Sequence, residues 1–217
     1  AASHLPMVVW GSKMKGQRYV SVGSDSESGG EVATAHLIEQ GCRSIVFLGD
    51  PSAPEVGARL RGYTKALRNA GIERQPHLEV AVRFGSDTAY HAIASLIDAG
   101  VEFDGVVACS DVFAMSAMRA LVERGRRIPA DVAITGFDDI PFAAYTSPPL
   151  TTIRQNCHVG ARLLVEKLMS AIRGEPNESA VIPTELVVRG SSLREHFRSL
   201  PTTRTQSAKT GRRKRIA

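Results

Sequence analysis

The 217 residues are 43% apolar and 23% charged, with a formal net charge of +5, which suits one large or two small globular units and includes no apolar run long enough to span a bilayer as a helix. The charge is lopsided: residues 193–217 hold eight Lys or Arg against one Glu, a net +7, which leaves residues 1–192 at −2. The main body therefore has no nucleic-acid footprint of its own, and the tail reads as a disordered basic segment whose Gly211-Arg212-Arg213-Lys214-Arg215 cluster can touch phosphates only non-specifically.

Residues 7–10 and 19–22 are short strand-like runs. Residues 29–40 are predicted helical, with Val32, Ala33, Leu37 and Ile38 on one face and Gly41 as the stop. A buried strand at 44–48 precedes a helix over 54–70 that Gly71 ends. Residues 78–84 read as a strand, and Ser86 as the cap of a helix carrying Tyr90, Ile93 and Ile97. A strand at 105–109, a helix at 111–124 and a central strand at 132–137 follow. Pro148 and Pro149 mark a crossover, after which come a helix at 159–172 and a last strand at 185–189. This alternation predicts an α/β fold with a mostly parallel sheet covered on both faces. Cys42, Cys109 and Cys157 are odd in number and lack metal-ligand spacing, so buried reduced thiols in a cytoplasmic protein are expected.

Ligands of open α/β sheets sit at the carboxyl ends of the strands. Arg59 and Arg61, Phe84, Ser110 with Asp111, and Asp138 all follow predicted strands, so parallel strands would gather them on one rim. The chemistry suits a small polyhydroxylated ligand. Arg61 offers a fork of donors, Asp138 accepts from hydroxyls, Ser110 does either, and Phe84 can lie on the apolar face of a sugar. Each has a plainer reading. Asp138 and Asp139 can be turn residues, Asp111 the N-cap of its helix, and Arg59 a partner of Glu55 four residues earlier. Phe84 can belong to the core. His36 reads as a packed histidine, and Met115 and Met118 as core or subunit-interface residues. Asp111 and Asp138 could form an acid/base pair, but there is no matched nucleophile, metal cluster or phosphate loop, and Gly29-Gly30 is too short to cradle a phosphate. No catalytic residue, cofactor or metal is expected.

A series of motifs closely resembles the effector-binding core of the LacI/GalR family of bacterial transcription regulators. It runs through Ala33-Thr34-Ala35-His36-Leu37-Ile38, Arg59-Leu60-Arg61-Gly62-Tyr63, Ser110-Asp111, Gly136-Phe137-Asp138-Asp139, Ser147-Pro148-Pro149-Leu150-Thr151-Thr152-Ile153 with Gln155, and Glu185-Leu186-Val187-Val188-Arg189. The resemblance implies a periplasmic-binding-protein-like fold of two Rossmann-like lobes with parallel sheets. On that reading residues 1–41 and 156–178 form a partial N-terminal lobe, 42–155 and 179–192 the C-terminal lobe, and 193–217 the tail. It implies effector contacts at Arg61, Ser110 and Asp138, with Phe84 and Gln155 as neighbours; Ser28 stands where some relatives have a carboxylate. The implied partners are a sugar or sugar derivative, a second copy of the chain, and an operator DNA reached only through an N-terminal helix-turn-helix that this stretch lacks. The start, without Met or the features of a signal peptide, reads as a truncation. A periplasmic sugar-binding protein of a transport system is the alternative.

Overall fold

The computed structural model describes residues 5–14, 16–83 and 87–194. Two sheets organise them. The larger is built from β3 (Ile45–Leu48), β4 (Glu79–Val80), β5 (Gly105–Ala108), β6 (Ala133–Asp138), β7 (Thr151–Arg154) and β9 (Glu185–Val187), in the order β4-β3-β5-β6-β7-β9. All neighbours are parallel except the edge pair β7–β9. The central strands are short unbroken apolar runs, IVFL and GVVA, because helices cover both faces and leave no solvated side to alternate with. The smaller sheet, also parallel, has the order β1-β2-β8, from β1 (Val8–Trp10), β2 (Val20–Ser24) and β8 (Ala180–Ile182).

Helices α1 (Ser26–Glu39), α2 (Pro54–Asn69), α3 (Thr88–Asp98) and α4 (Asp111–Glu123) pack on the larger sheet, and α5 (Cys157–Ile172) on the smaller. Val46, Leu48, Ile134 and Leu121 are fully buried between the layers. The Phe47 and Tyr63 rings lie 5.5 Å apart, and the Tyr63 hydroxyl donates to Ile45 O at 2.8 Å. His36 is the packed histidine the sequence suggests: its Nε2 lies 2.7 Å from Ser192 Oγ, which lies 2.7 Å from Thr151 Oγ1.

The pairing moves elements across the expected lobe boundary. Helix α1, expected with residues 1–41 in the smaller lobe, sits on α2 and the larger sheet. The reason is glycine: a Cβ on Gly30 would run into the Arg59 backbone, one on Gly62 into that of Glu27, and one on Gly29 into the Phe137 ring. Strand β8, expected in the larger lobe, pairs with β2 instead. Its three residues are too few to show a period. Strand β7 hides in the expected Pro-rich crossover. The strand expected at 78–84 shortens to β4 after a single tight turn over Pro76–Leu78. Ser86 and the tail from residue 195 lie outside the described residues. The chain thus crosses between lobes after Ser24, after Arg154 and after Ile182, and Asp25 N donates to Ile182 O at 2.8 Å where two crossovers meet.

Candidate functional site

The carboxyl edge of the larger sheet faces the smaller lobe. Strand β6 ends there in Asp138, which with the next residue has positive φ, Asp138 at 117° and Asp139 at 55°. Side chains other than glycine rarely adopt that region, and where they do the surroundings must hold them. Here both carboxylates are held. Asp139 Oδ1 accepts from Arg189 Nη2 at 2.7 Å and Oδ2 from Arg154 Nε at 2.7 Å. Burial pushes the Asp139 carboxyl up, but the two guanidinium hydrogen bonds outweigh it and the net shift is downward. Asp138 Oδ1 accepts from Gln155 Nε2 at 2.6 Å. Its pKa is raised by burial, against the opposing pull of Arg59 and the Gln155 hydrogen bond.

Arg59 is the cation of this cluster. It is 8% exposed, and its guanidinium carbon lies 3.5 Å from the centre of the Phe137 ring. Nη1 donates to Cys109 O, while Nε has no partner among the described residues. Burial depresses its pKa, and the carboxylates of Asp138, Glu55 and Asp111 push the other way. The seat is set by the close α1–α2 approach at Gly30, which fixes the backbone of Arg59 itself.

Asp111 is fully buried. Its Oδ1 accepts from Thr152 Oγ1 at 2.5 Å and its Oδ2 from Ile140 N at 2.8 Å, so it pins the turn after Asp139 to β7. Burial pushes its carboxyl up to about 6 despite those bonds. It is not the N-cap of α4. Ser110 is, its hydroxyl accepting from Phe113 N at 3.3 Å.

The sequence-derived set is thus partly assembled. Asp138 and Gln155 touch, and Ser110 stands at the end of the neighbouring strand β5, 4% exposed. Arg61 does not join them. Its side chain is 64% exposed and pairs with Glu27 at 2.9 Å, beside Leu60, Thr64, Lys65, Arg68 and Arg74. Two residues on a helix point about 200° apart, so Arg59 and Arg61 cannot serve one cleft together. Nor does Arg59 pair with Glu55. The Glu55 carboxylate crosses to the smaller lobe, where Oε1 accepts from Ser12 N at 2.8 Å. Phe84 lies outside the described residues. Phe137 is the site residue missing from the rim that the sequence predicts, and Arg59 is on that rim but equally open there to pairing with Glu55; the signal for both is Gly29-Gly30 opposite Gly62, which marks where α1 is pressed against α2 and the Phe137 ring. Cys42 and Cys109 are buried thiols raised by burial to about 12 and about 11, but Cys157, the first residue of α5, is exposed rather than buried.

No group of His, Cys, Asp and Glu among the described residues could hold a metal. What the site offers is acceptors on a rigid edge, one buried guanidinium and a hydroxyl, facing a second lobe across three crossovers. Those groups suit hydrogen bonding to a hydroxyl-bearing ligand.

Comparison with known proteins agrees with this geometry. Residues 34–192 match the periplasmic binding protein-like domain. The chain is 37% identical over 176 residues to the HTH-type transcriptional regulator CelR of Thermobifida fusca, covering 80% of this chain and 51% of that protein. A solved LacI-family transcriptional regulator from Sanguibacter keddieii superposes with a TM-score of 0.79 at 35% identity, covering 86% of this chain and 72% of that one. A transcriptional regulator CelR-cellobiose complex superposes with a TM-score of 0.80 at 34% identity, covering 85% and 58%. The chain spans about half the length of the CelR regulator it matches. With the domain match, the sequence identity and the superposition all in agreement, this chain belongs to the LacI family of transcriptional regulators and comprises its periplasmic-binding-protein-like effector domain.

Proposed function

We propose that this domain senses a small sugar-like metabolite held between its lobes and passes the result to the DNA affinity of the full-length regulator. The observation that carries the reading is the Asp138 carboxylate. It is part-buried, held in a left-handed backbone at the carboxyl edge of a parallel sheet, and bonded to Gln155 next to a lobe crossover. Such an acceptor suits hydroxyl donors. Ser110 and Gln155 stay with it as ligand groups, and Arg59 takes the place expected of Arg61. The cellobiose complex of a relative supports the sugar class. The names of the relatives support a regulator over a transporter's binding protein.

The ligand would favour one lobe arrangement by its differential affinity, moving the three crossovers and with them the DNA-binding heads of a dimer. Exposed apolar residues on α4 and the turn after β6 support the dimer: Val122 is 59%, Phe142 71% and Tyr145 85% exposed, and a second copy would cover them. Operator contact would come from a helix-turn-helix outside this stretch, in the cytoplasm. No helix among the described residues is long and apolar enough to cross a membrane. We assign the domain no reaction. Asp138→Ala in the full-length regulator is expected to weaken sugar binding by about 1–3 kcal/mol, the cost of leaving ligand hydroxyls unpaired. Calorimetric titration against cellobiose and a panel of simple sugars measures it. Wild-type affinity in the variant would remove the cleft assignment.

A further inference from the structure

We propose that Glu55 sets the ligand class of the cleft, selecting uncharged polyhydroxylated ligands against their phosphorylated or carboxylated counterparts; this rests on the sugar-effector reading above. Glu55 stands in the first turn of α2, whose N-cap, Ala53, makes no side-chain bond to the helix. An acid in that turn ordinarily serves the amides of its own helix. This one turns away and reaches the other lobe, accepting from Ser12 N at 2.8 Å. Gly11 leaves the carboxylate room to do so, since a Cβ there would come within 2.9 Å of Glu55 Oε1. The carboxylate is therefore built into the mouth between the lobes.

One helical turn further in lies Arg59, the single buried cation of the site, under the joint influence of Asp138, Glu55 and Asp111. Three carboxylates around one guanidinium leave an excess of negative charge. Arg59 gives Nη1 to Cys109 O and its face to Phe137, so only the edge that carries its unpartnered Nε is open, and the three carboxylates outnumber it. Beyond Ser12, the hollow between the lobes is bordered by Asp25, Lys13 and a Glu27 that is itself paired with Arg61, so it adds no net positive charge to draw an anion in. A phosphate entering here meets like charge in a poorly screened setting. A neutral polyol brings hydroxyl donors, which are what carboxylates can use. Repulsion of the wrong ligand is as much a route to specificity as attraction of the right one.

The test is calorimetric titration of the full-length regulator with glucose, ribose and cellobiose, and with glucose 6-phosphate and ribose 5-phosphate as charged probes. Wild type is expected to bind a neutral sugar about tenfold or more tightly than its phosphate. In Glu55→Gln the amide oxygen still accepts from Ser12 N but the charge is gone, so that ratio is expected to fall about threefold or more. A phosphate that binds as tightly as its neutral sugar overturns the proposal, and so does an unchanged ratio in a folded Glu55→Gln. If that variant fails to fold, the wild-type ratio still decides. Binding of no sugar, charged or neutral, would instead bring down the sugar-effector reading itself.

Discussion

The six-stranded lobe buries Val46, Val106 and Ile134 completely, while in the three-stranded lobe Trp10 is 42% and Val181 62% exposed. The difference extends to chemistry. Every charged group clustered around Asp138 comes from the larger lobe, and what the smaller lobe gives the cleft mouth near Glu55 is the backbone N–H of Ser12. A strained dipeptide and a buried guanidinium need neighbours that cannot yield, and only the doubly covered sheet supplies them. Helix α5 shows the same asymmetry within one element: Gly160 is buried so tightly that a Cβ would meet the Trp10 ring, while Val165 and Ile172 on the same helix are 62% and 57% exposed.

This contrast can be broken at four points. Phe137→Ala removes a fully buried ring and the platform under Arg59, and is expected to cost about 3–5 kcal/mol in urea denaturation; an equal loss from Trp10→Ala would mean that the two lobes are equally packed. Arg59→Ala leaves Cys109 O without its donor and Asp138 without its nearby cation and should cost about 2–5 kcal/mol, with sugar affinity lost as well. Asp111 should show in pH dependence. Its folded pKa of about 6 lies above the unfolded value of about 3.9, so the folded state holds the proton more tightly. Its contribution to stability is therefore present below about pH 4 and lost as pH rises toward about 6, by about 1–3 kcal/mol. Stability curves of wild type and Asp111→Asn should diverge in that window, and parallel curves would refute the assignment. Arg61→Ala comes last, with no resolvable change in melting temperature or sugar affinity, because an exposed pair with Glu27 contributes little.

The outcome at α2 shows how far sequence reading reached. The helix, its Pro54 start and its place after a buried strand were all legible from local pattern. Which of its two arginines turns inward was not, because both fit the helix equally and only the contact with Gly30 of α1 decides between them. Helix α1 teaches the same lesson. Ala33 and Leu37 are buried as their spacing predicts, but Val32, placed on the same face, is 42% exposed, since Gly29 and Gly30 rotate the packed side toward α2 and Phe137.

By itself the amino-acid order determined the α/β alternation, the central strands and the position of Asp138 at a strand's carboxyl end. These follow from periodicity and turn chemistry within a dozen residues. Tertiary structure alone decided that α1 belongs to the larger lobe, that β8 belongs to the smaller, that Arg59 rather than Arg61 stands by Asp138, and that Glu55 spans the mouth. Each of those depends on which surfaces meet across tens of residues of chain, and no local pattern carries that information.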